Sequence, residues 1–459
     1  MNFSYALKEE FFGEEEARSM SHKALDEWFD AQLAPLFKQG KPPTVGELSQ
    51  IFQDTKQQLL SKTMQVMIEE LYDGFLHQET ANCPKCDKSL KRKRFDDKNI
   101  STLQGPFHIS RPYFHCDRCH FGFHPIDKEL ELARGKHQYD IQAEATRLAA
   151  DLPFQRSSEH LKRLAGVDAG NHFSHETLNA VGETAKLEDV IPSLNKTKKK
   201  IAKIKGKGKW RPVMVISADG AYSPVRPPGK RREKRGAGAW QDTKGVRIYL
   251  VGKGNRIVHI ASWHQIEDAQ AFTVELKRIA KRIPQDDVRI ALIGDGADWL
   301  WNAMRACFPK GREVLDYYHC SEYIHEVAYA QYGEAIESRQ WVEATISRLF
   351  YGDALQVIAG LRRMKPVDDN AEETIDKVIG YLDKRIEQID YGAARRSGTP
   401  IGSGGIESAN KFICHTRLKL SGAWWLKENG NSMLRVRCAI FNGTFDNVFE
   451  SYKQSKEIF

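Results

Sequence analysis

Two aspartates constrain this chain more than any other feature. Asp219 closes the apolar run Val213, Met214, Val215, Ile216, Ser217, Ala218, and Asp295 closes Val288 to Gly294; each is followed by glycine, Gly220 or Gly296. A continuous run of this kind reads as a buried strand, and an acid with glycine at its end delivers a carboxylate to a sheet edge, where it can hold a hard cation. Two such strands in one domain point to metal-dependent phosphate chemistry.

The elements around the pair follow an informative order. The pattern predicts strands over 213–219, 246–251 and 256–263, an amphipathic helix over 268–283, a strand over 288–295, a helix over 299–308 and a strand over 313–319. Three strands, then helix, strand, helix and strand, is the order of a ribonuclease-H-like fold, in which the first strand lies centrally beside the fourth. Asp219 and Asp295 would then be neighbours. Two such carboxylates repel unless divalent cations neutralise them, and a third acid is needed to complete two sites about 3.5–4 Å apart.

The best third acid is Glu407. It follows the glycine-rich turn Gly402 to Gly405 and opens a predicted helix through Lys411 to Leu420, whose Lys411, Arg417 and Lys419 would face phosphate. Between Asp295 and Glu407 lie 111 residues, and 323–389 look helical. So long a connection implies a helical insertion, taken as 321–398, between a first catalytic part at 212–320 and a last part at 399–459.

A chain of 459 residues is too long for one core. The N-terminal 1–80 read as a helical domain broken at Pro42 and Pro43. Residues 81–126 carry Cys83 and Cys86, then Cys116 and Cys119, with 29 residues between the pairs. Two Cys-x-x-Cys knuckles supply four thiolates for one tetrahedral Zn²⁺, so this segment reads as a zinc ribbon. Cys307, Cys320, Cys414 and Cys438 are scattered and read as small buried hydrophobes. Residues 137–195 suggest a helix-turn-helix, with a turn at Gly166 to Gly170 and a second helix opening at Ser174.

Charge is concentrated rather than spread. The net charge is +8, with 41% apolar and 28% charged residues, as in an ordinary globular protein. Lys196 to Arg211 holds nine Lys and Arg and no acid, reading as a flexible basic linker at 196–211; Arg226 to Arg235 is a second basic cluster. Lys198, Lys199, Lys200, Arg231 and Arg232 are candidate contacts to the phosphate backbone of double-stranded DNA. Gly206 to Lys209 lacks phosphate-loop spacing and is not a nucleotide site. No stretch approaches the roughly 18 apolar residues of a membrane span, and Met1 to Glu10 has no signal-like core, so a cytoplasmic location without membrane attachment is expected.

Over 81–450 the chain resembles transposases of bacterial insertion sequences of the Kra type, related to the Mutator-like and hAT-like DDE superfamilies. The matching motifs are Ala218 to Ala221, Gly294 to Ala297, Asp316 to Cys320, Gly402 to Ser408, and Arg417 to Gly422. The resemblance implies that Asp219, Asp295 and Glu407 form a catalytic triad binding two Mg²⁺ or Mn²⁺. It assigns Asp316 and His319 to an acid-x-x-His element near the active site, and implies at least a homodimer that cuts and joins transposon ends. The glycine turn and the pair Trp424 and Trp425, read as core packing or as a stacking surface for an unpaired base, depart slightly from the family pattern. A transposase-derived DNA-binding protein without turnover and a plain ribonuclease-H-like nuclease remain open as alternatives.

Overall fold

The computed structural model describes residues 14–37, 42–207, 210–227 and 238–456. Arg231 and Arg232 therefore lie outside the described residues. The chain divides into two compact units, Met1–Leu178 with Lys453–Phe459, and Asn179–Tyr452.

In the first unit, helices Glu14–Gln32 and Val45–Leu71 follow the apolar periodicity. Thr44 and Glu47 close a capping box after Pro42 and Pro43, so the break at the prolines becomes a helix start. Met64 and Ile68 pack against Ile100, Phe107 and Ile109 of the hairpin formed by β3 (Arg94–Thr102) and β4 (Gly105–Cys116). The N-terminal helices and the hairpin thus share a core. Short strands β1 (Thr80–Asn82) and β2 (Ser89–Lys91) pair with one another, and β5 (Phe121–Phe123) pairs with the end of β4. Helices Tyr139–Asp151, Phe154–Ala165 and Gly170–Thr184 follow. Gly166, at φ 63°, ends the second of them. The third opens at Gly170 rather than Ser174, which lies buried within it.

The second unit begins with a correction. The basic segment expected as a flexible linker is helical over Leu194–Lys205, with Ser193 accepting a hydrogen bond from the Lys196 backbone N–H. Thr197 and Ile201 are buried. An apolar stripe at helical spacing outweighs the charge around it, and the lysines take the other faces. Lys198 and Lys199 are exposed, while the Lys200 ammonium donates to the His259 carbonyl at 3.0 Å.

The sheet of this unit has five strands: β6 (Val213–Val225), β7 (Ala239–Val251), β8 (Ile257–Ile266), β9 (Arg289–Gly294) and β10 (Arg312–Leu315), in the order β10-β9-β6-β7-β8. β6, β7 and β8 pair antiparallel, while β9 and β10 join in parallel. Strand β6 is therefore central with β9 beside it, as the element order required. Val213 to Ala218 are all buried, which is why this stretch carries no alternation of polar and apolar residues. Helix Lys427–Asn442 packs on β8, its Asn442 accepting from the Ser262 N–H at 2.7 Å.

The predicted strand at 313–319 stops at Leu315, because the Asp316 carboxylate accepts the N–H groups of Tyr318 (2.6 Å) and His319 (3.0 Å) and starts helix Tyr317–Tyr332. Helices Ile336–Tyr351, Ala354–Arg363, Asp369–Lys384 and Tyr391–Arg396 complete the insertion. No helix among the described residues is long and apolar enough to cross a membrane.

Candidate active site and metal centre

The β6–β9 pairing ends with Ser217 opposite Ile293. Two residues further along each chain stand Asp219 and Asp295, side by side where the parallel strands part. The Asp295 carboxylate accepts the Ala297 N–H at 3.0 Å. Its turn is gripped by the insertion: the Tyr381 hydroxyl donates to the Asp295 carbonyl at 3.4 Å, and Arg385, stacked on the Tyr381 ring at 4.0 Å, donates to the Gly296 carbonyl at 2.8 Å. Gly296 has φ 97°, and a Cβ there would stand 2.6 Å from the Tyr381 hydroxyl. Only glycine fits.

Glu407 sits in the first turn of helix Gly404–Asn410, where the Ser403 hydroxyl donates to its Oε1 at 2.7 Å. The glycine turn allows this helix to approach the sheet. A Cβ at Gly405 would meet the Tyr249 ring at 2.7 Å, and Arg247 donates to the Gly405 carbonyl at 2.6 Å. Asp316 ties the two halves together. Its backbone N–H donates to the Gly294 carbonyl at 2.8 Å, while its carboxylate also accepts the Ser403 N–H. It is fully buried, and its oxygens are occupied by backbone donors. His319 is half-buried in the first turn beyond it, with Nδ1 3.2 Å from Glu322.

Burial and the neighbouring Asp295 push the Asp219 carboxyl up to about 6; Glu407 adds to the rise, while the Gly220 N–H and His319 oppose it. These four side chains share one field. A buried carboxyl whose ionisation is resisted by two other carboxylates is a site that a divalent cation would stabilise, and an all-oxygen donor set suits Mg²⁺ or Mn²⁺.

The phosphate-facing residues divide. Lys411 is exposed and, with Glu407, Ser408, Phe412 and Thr416, lines a depression of about 470 Å³. Arg417, expected to face phosphate, is 2% exposed, with its guanidinium 5.6 Å from the Trp425 ring. The reason is a π-helical turn over Lys411–His415 that breaks the regular helix expected there, with Lys419 lying beyond the helix and half-buried. Arg437, 1% exposed, donates to the carbonyls of Ile413 (2.8 Å) and Phe412 within that turn. Trp425 is buried, whereas Trp424 is exposed beside Trp240 with ring centroids 6.3 Å apart.

Three residues that carry no motif also belong to the site. Asn410 Nδ2 donates to Asp219 Oδ2 at 2.8 Å, His264 Nε2 lies 2.9 Å from Asn410 Oδ1, and Gly245 stands between Asp219 and His264 in the sheet. His264 is wholly buried and its pKa is pushed down to about 4, so the ring is neutral at neutral pH. The available signal was the second of two histidines, His259 and His264, in the largely apolar run from Ile257 to Ile266.

In the first unit, Cys83, Cys86, Cys116 and Cys119 bring their sulfurs within 4.8 Å of one another, the one such group of metal-ligating side chains among the described residues. Cys86 and Cys116 are 3.6 Å apart, close to the roughly 3.8 Å that a tetrahedron with 2.3 Å Zn–S bonds demands. Asp87 and His120, which follow the second cysteine of each pair, have φ 58° and 48°, turning the chain back around the sulfurs. Burial raises the Cys83 thiol, but the Lys85 and Cys86 N–H groups and neighbouring thiols bring it to about 7; hydrogen bonding to Cys86 and burial push Cys119 up to about 12. The four scattered cysteines are all free and buried.

Residues 44–455 match Uncharacterised protein family (UPF0236), and the chain belongs to that family. A relative, the UPF0236 protein in the vanSb 3′ region of Streptococcus gallolyticus, is 25% identical over 427 residues, spanning 88% of this chain and 87% of the relative. Among solved structures the chain is similar to the Drosophila P element transposase strand transfer complex, at 10% identity and a TM-score of 0.26, with 69% of this chain and 81% of that chain covered.

Proposed function

We propose that this UPF0236 protein is a DDE transposase of the kind its motifs resemble: an enzyme that binds the inverted-repeat ends of a mobile DNA element, cleaves them and transfers the strand to target DNA. In this reading the five-stranded sheet is a ribonuclease-H-like core interrupted by the helical insertion, and the four-cysteine segment is a zinc ribbon. The single observation that carries it is the placement of Asp219 and Asp295 two residues beyond the last paired positions of the adjacent parallel strands β6 and β9, where Glu407, from a distant part of the chain, also acts on the Asp219 carboxyl.

Asp219, Asp295 and Glu407 would hold two Mg²⁺ or Mn²⁺. Ions bound there supply activation of a water or 3′-hydroxyl and neutralisation of the departing 3′-oxygen. The chain's own part is positioning. Lys411 and the depression beside Glu407 would hold the phosphate backbone close to the carboxylates, and Lys198 and Lys199 would add sequence-independent affinity. Arg231 and Arg232 are retained as DNA contacts on sequence grounds, as is a dimer able to cut two ends together.

The test uses DNA duplexes bearing the inverted repeats that bracket the gene, with Mn²⁺ in the reaction. Asp219→Ala, Asp295→Ala and Glu407→Ala should each abolish cleavage while leaving duplex binding within about 3-fold, a difference under about 0.7 kcal/mol. Cleavage retained in any of them removes that residue from the triad. Strand-joined products separate a transposase from a plain nuclease, which only hydrolyses.

A further inference from the structure

We infer that Asn410 and His264 are positioning residues for Asp219, a buried donor chain that passes through a gap left in the sheet by Gly245. The inference rests on the reading of Asp219 as a metal ligand.

Asp219, Gly245 and His264 form one cross-strand row over β6, β7 and β8, and residues directly opposite on adjacent strands project to the same face. The middle member has no side chain. A Cβ at Gly245 would stand 2.4 Å from His264 Cδ2, 2.5 Å from its Nε2 and 3.2 Å from Asn410 Oδ1. The imidazole thus leans across the vacant position and meets the Asn410 amide over it. Asn410, on the same helix as Glu407 and three residues after it, is 5% exposed.

The polarity of the chain is set by chemistry. An amide oxygen only accepts, so His264 must carry its proton on Nε2. The ionised Asp219 carboxylate likewise only accepts, which sets the Asn410 amide with its N–H toward Asp219 and its oxygen toward the ring. On the far side, His264 Nδ1 lies 3.9 Å from Cys438 Sγ, a thiol that burial keeps protonated and able to donate. Every donor in the series Cys438, His264, Asn410 then points toward the Asp219 carboxylate, and aligned hydrogen bonds in a water-free interior polarise one another. Without His264 the amide could turn over and present its oxygen to Asp219, repelling the carboxylate instead of holding it. Because Asn410 and Glu407 share one short helix, the same contact also fixes the spacing of two ligands contributed by distant segments.

Partners that orient a metal ligand without touching the ion are worth about 10- to 100-fold in metal affinity. The experiment titrates Mn²⁺ into the full-length protein by calorimetry, with thermal unfolding of the metal-free protein measured in parallel. Asn410→Ala and His264→Leu should each weaken Mn²⁺ binding by about 10-fold or more. His264→Gln, which places an amide N–H where the ring Nε2–H stands, should restore affinity to within about 3-fold of the unaltered chain. The two His264 variants fill similar space, so a merely structural role would make them alike in Mn²⁺ affinity, and they decide the matter even if Asn410→Ala fails to fold. Asp219→Ala separates the two layers of the argument. If it binds Mn²⁺ as the unaltered chain does, the metal-ligand reading fails and the positioning role falls with it. If it loses the ion while Asn410→Ala and His264→Leu keep full affinity, the reading stands and the positioning role alone is overturned.

Discussion

Asp219 is the residue on which the electrostatics of the second unit turn. Its carboxyl is pushed from an ordinary 3.8 up to about 6, first by burial and then by Asp295. The folded chain therefore binds a proton more tightly than the unfolded chain between about pH 4 and 6, and ionised Asp219 costs stability above that window. Asp219→Asn should raise the melting temperature of the metal-free protein at pH 7.5, and the gain should shrink toward pH 4.5, where the native carboxyl is already neutral. A melting temperature unchanged or lowered at pH 7.5 would contradict the assigned environment. Mn²⁺ should reverse the order, stabilising the native chain and not the variant. The same residue shows how far sequence alone reaches. A fully apolar run ending in Asp-Gly announces a carboxylate at a strand end, but nothing local announces Asn410, whose contact with it spans 191 positions.

At the scale of elements, the helices between β10 and Glu407 do more than bridge two parts of the chain. Helix Asp369–Lys384 and Arg385 at its end grip the Asp295 turn through Tyr381, Arg385 and the cramped Gly296. Gly296→Ala should destabilise by about 1–3 kcal/mol, since it combines a positive φ with a Cβ against the Tyr381 hydroxyl. Adding Tyr381→Phe removes the clash but not the backbone strain, so the double variant should recover part of the loss in denaturant unfolding; strict additivity would mean the two groups do not meet. The elements also mark where patterns mislead. In 196–211 the lysines masked a buried stripe of Thr197 and Ile201, so a helix read as a linker. Around Arg417 a regular helix was the natural reading, because a π-turn held by the buried Arg437 has no signature in spacing.

For the whole molecule, two chemistries stand on two units. Four cysteine sulfurs in the first suit Zn²⁺, whereas in the proposed reading the carboxylates of the second would hold Mg²⁺ or Mn²⁺. A strong chelator should release one Zn²⁺ per chain and loosen β1, β2 and the end of β4, whose small core of Ala81, Leu90 and Phe114 is built around Cys83 and Cys116. Hydrogen exchange should show that loss locally while β6 and β9 keep their protection. Equal loss across the five-stranded sheet would argue against a locally acting metal.

The sequence by itself determined the buried runs that lead into Asp219 and Asp295, the paired cysteine knuckles, and the glycine turn that introduces Glu407. Each is a local pattern: continuous burial, ligand spacing or backbone freedom. Tertiary structure alone decided that Asp316 spends its carboxylate on backbone donors and that Arg417 turns inward. It also decided that His264 reaches Asn410 through the gap at Gly245. These outcomes depend on which distant groups fill the space around a side chain, and a buried polar group takes whichever partner the packing brings within hydrogen-bond reach.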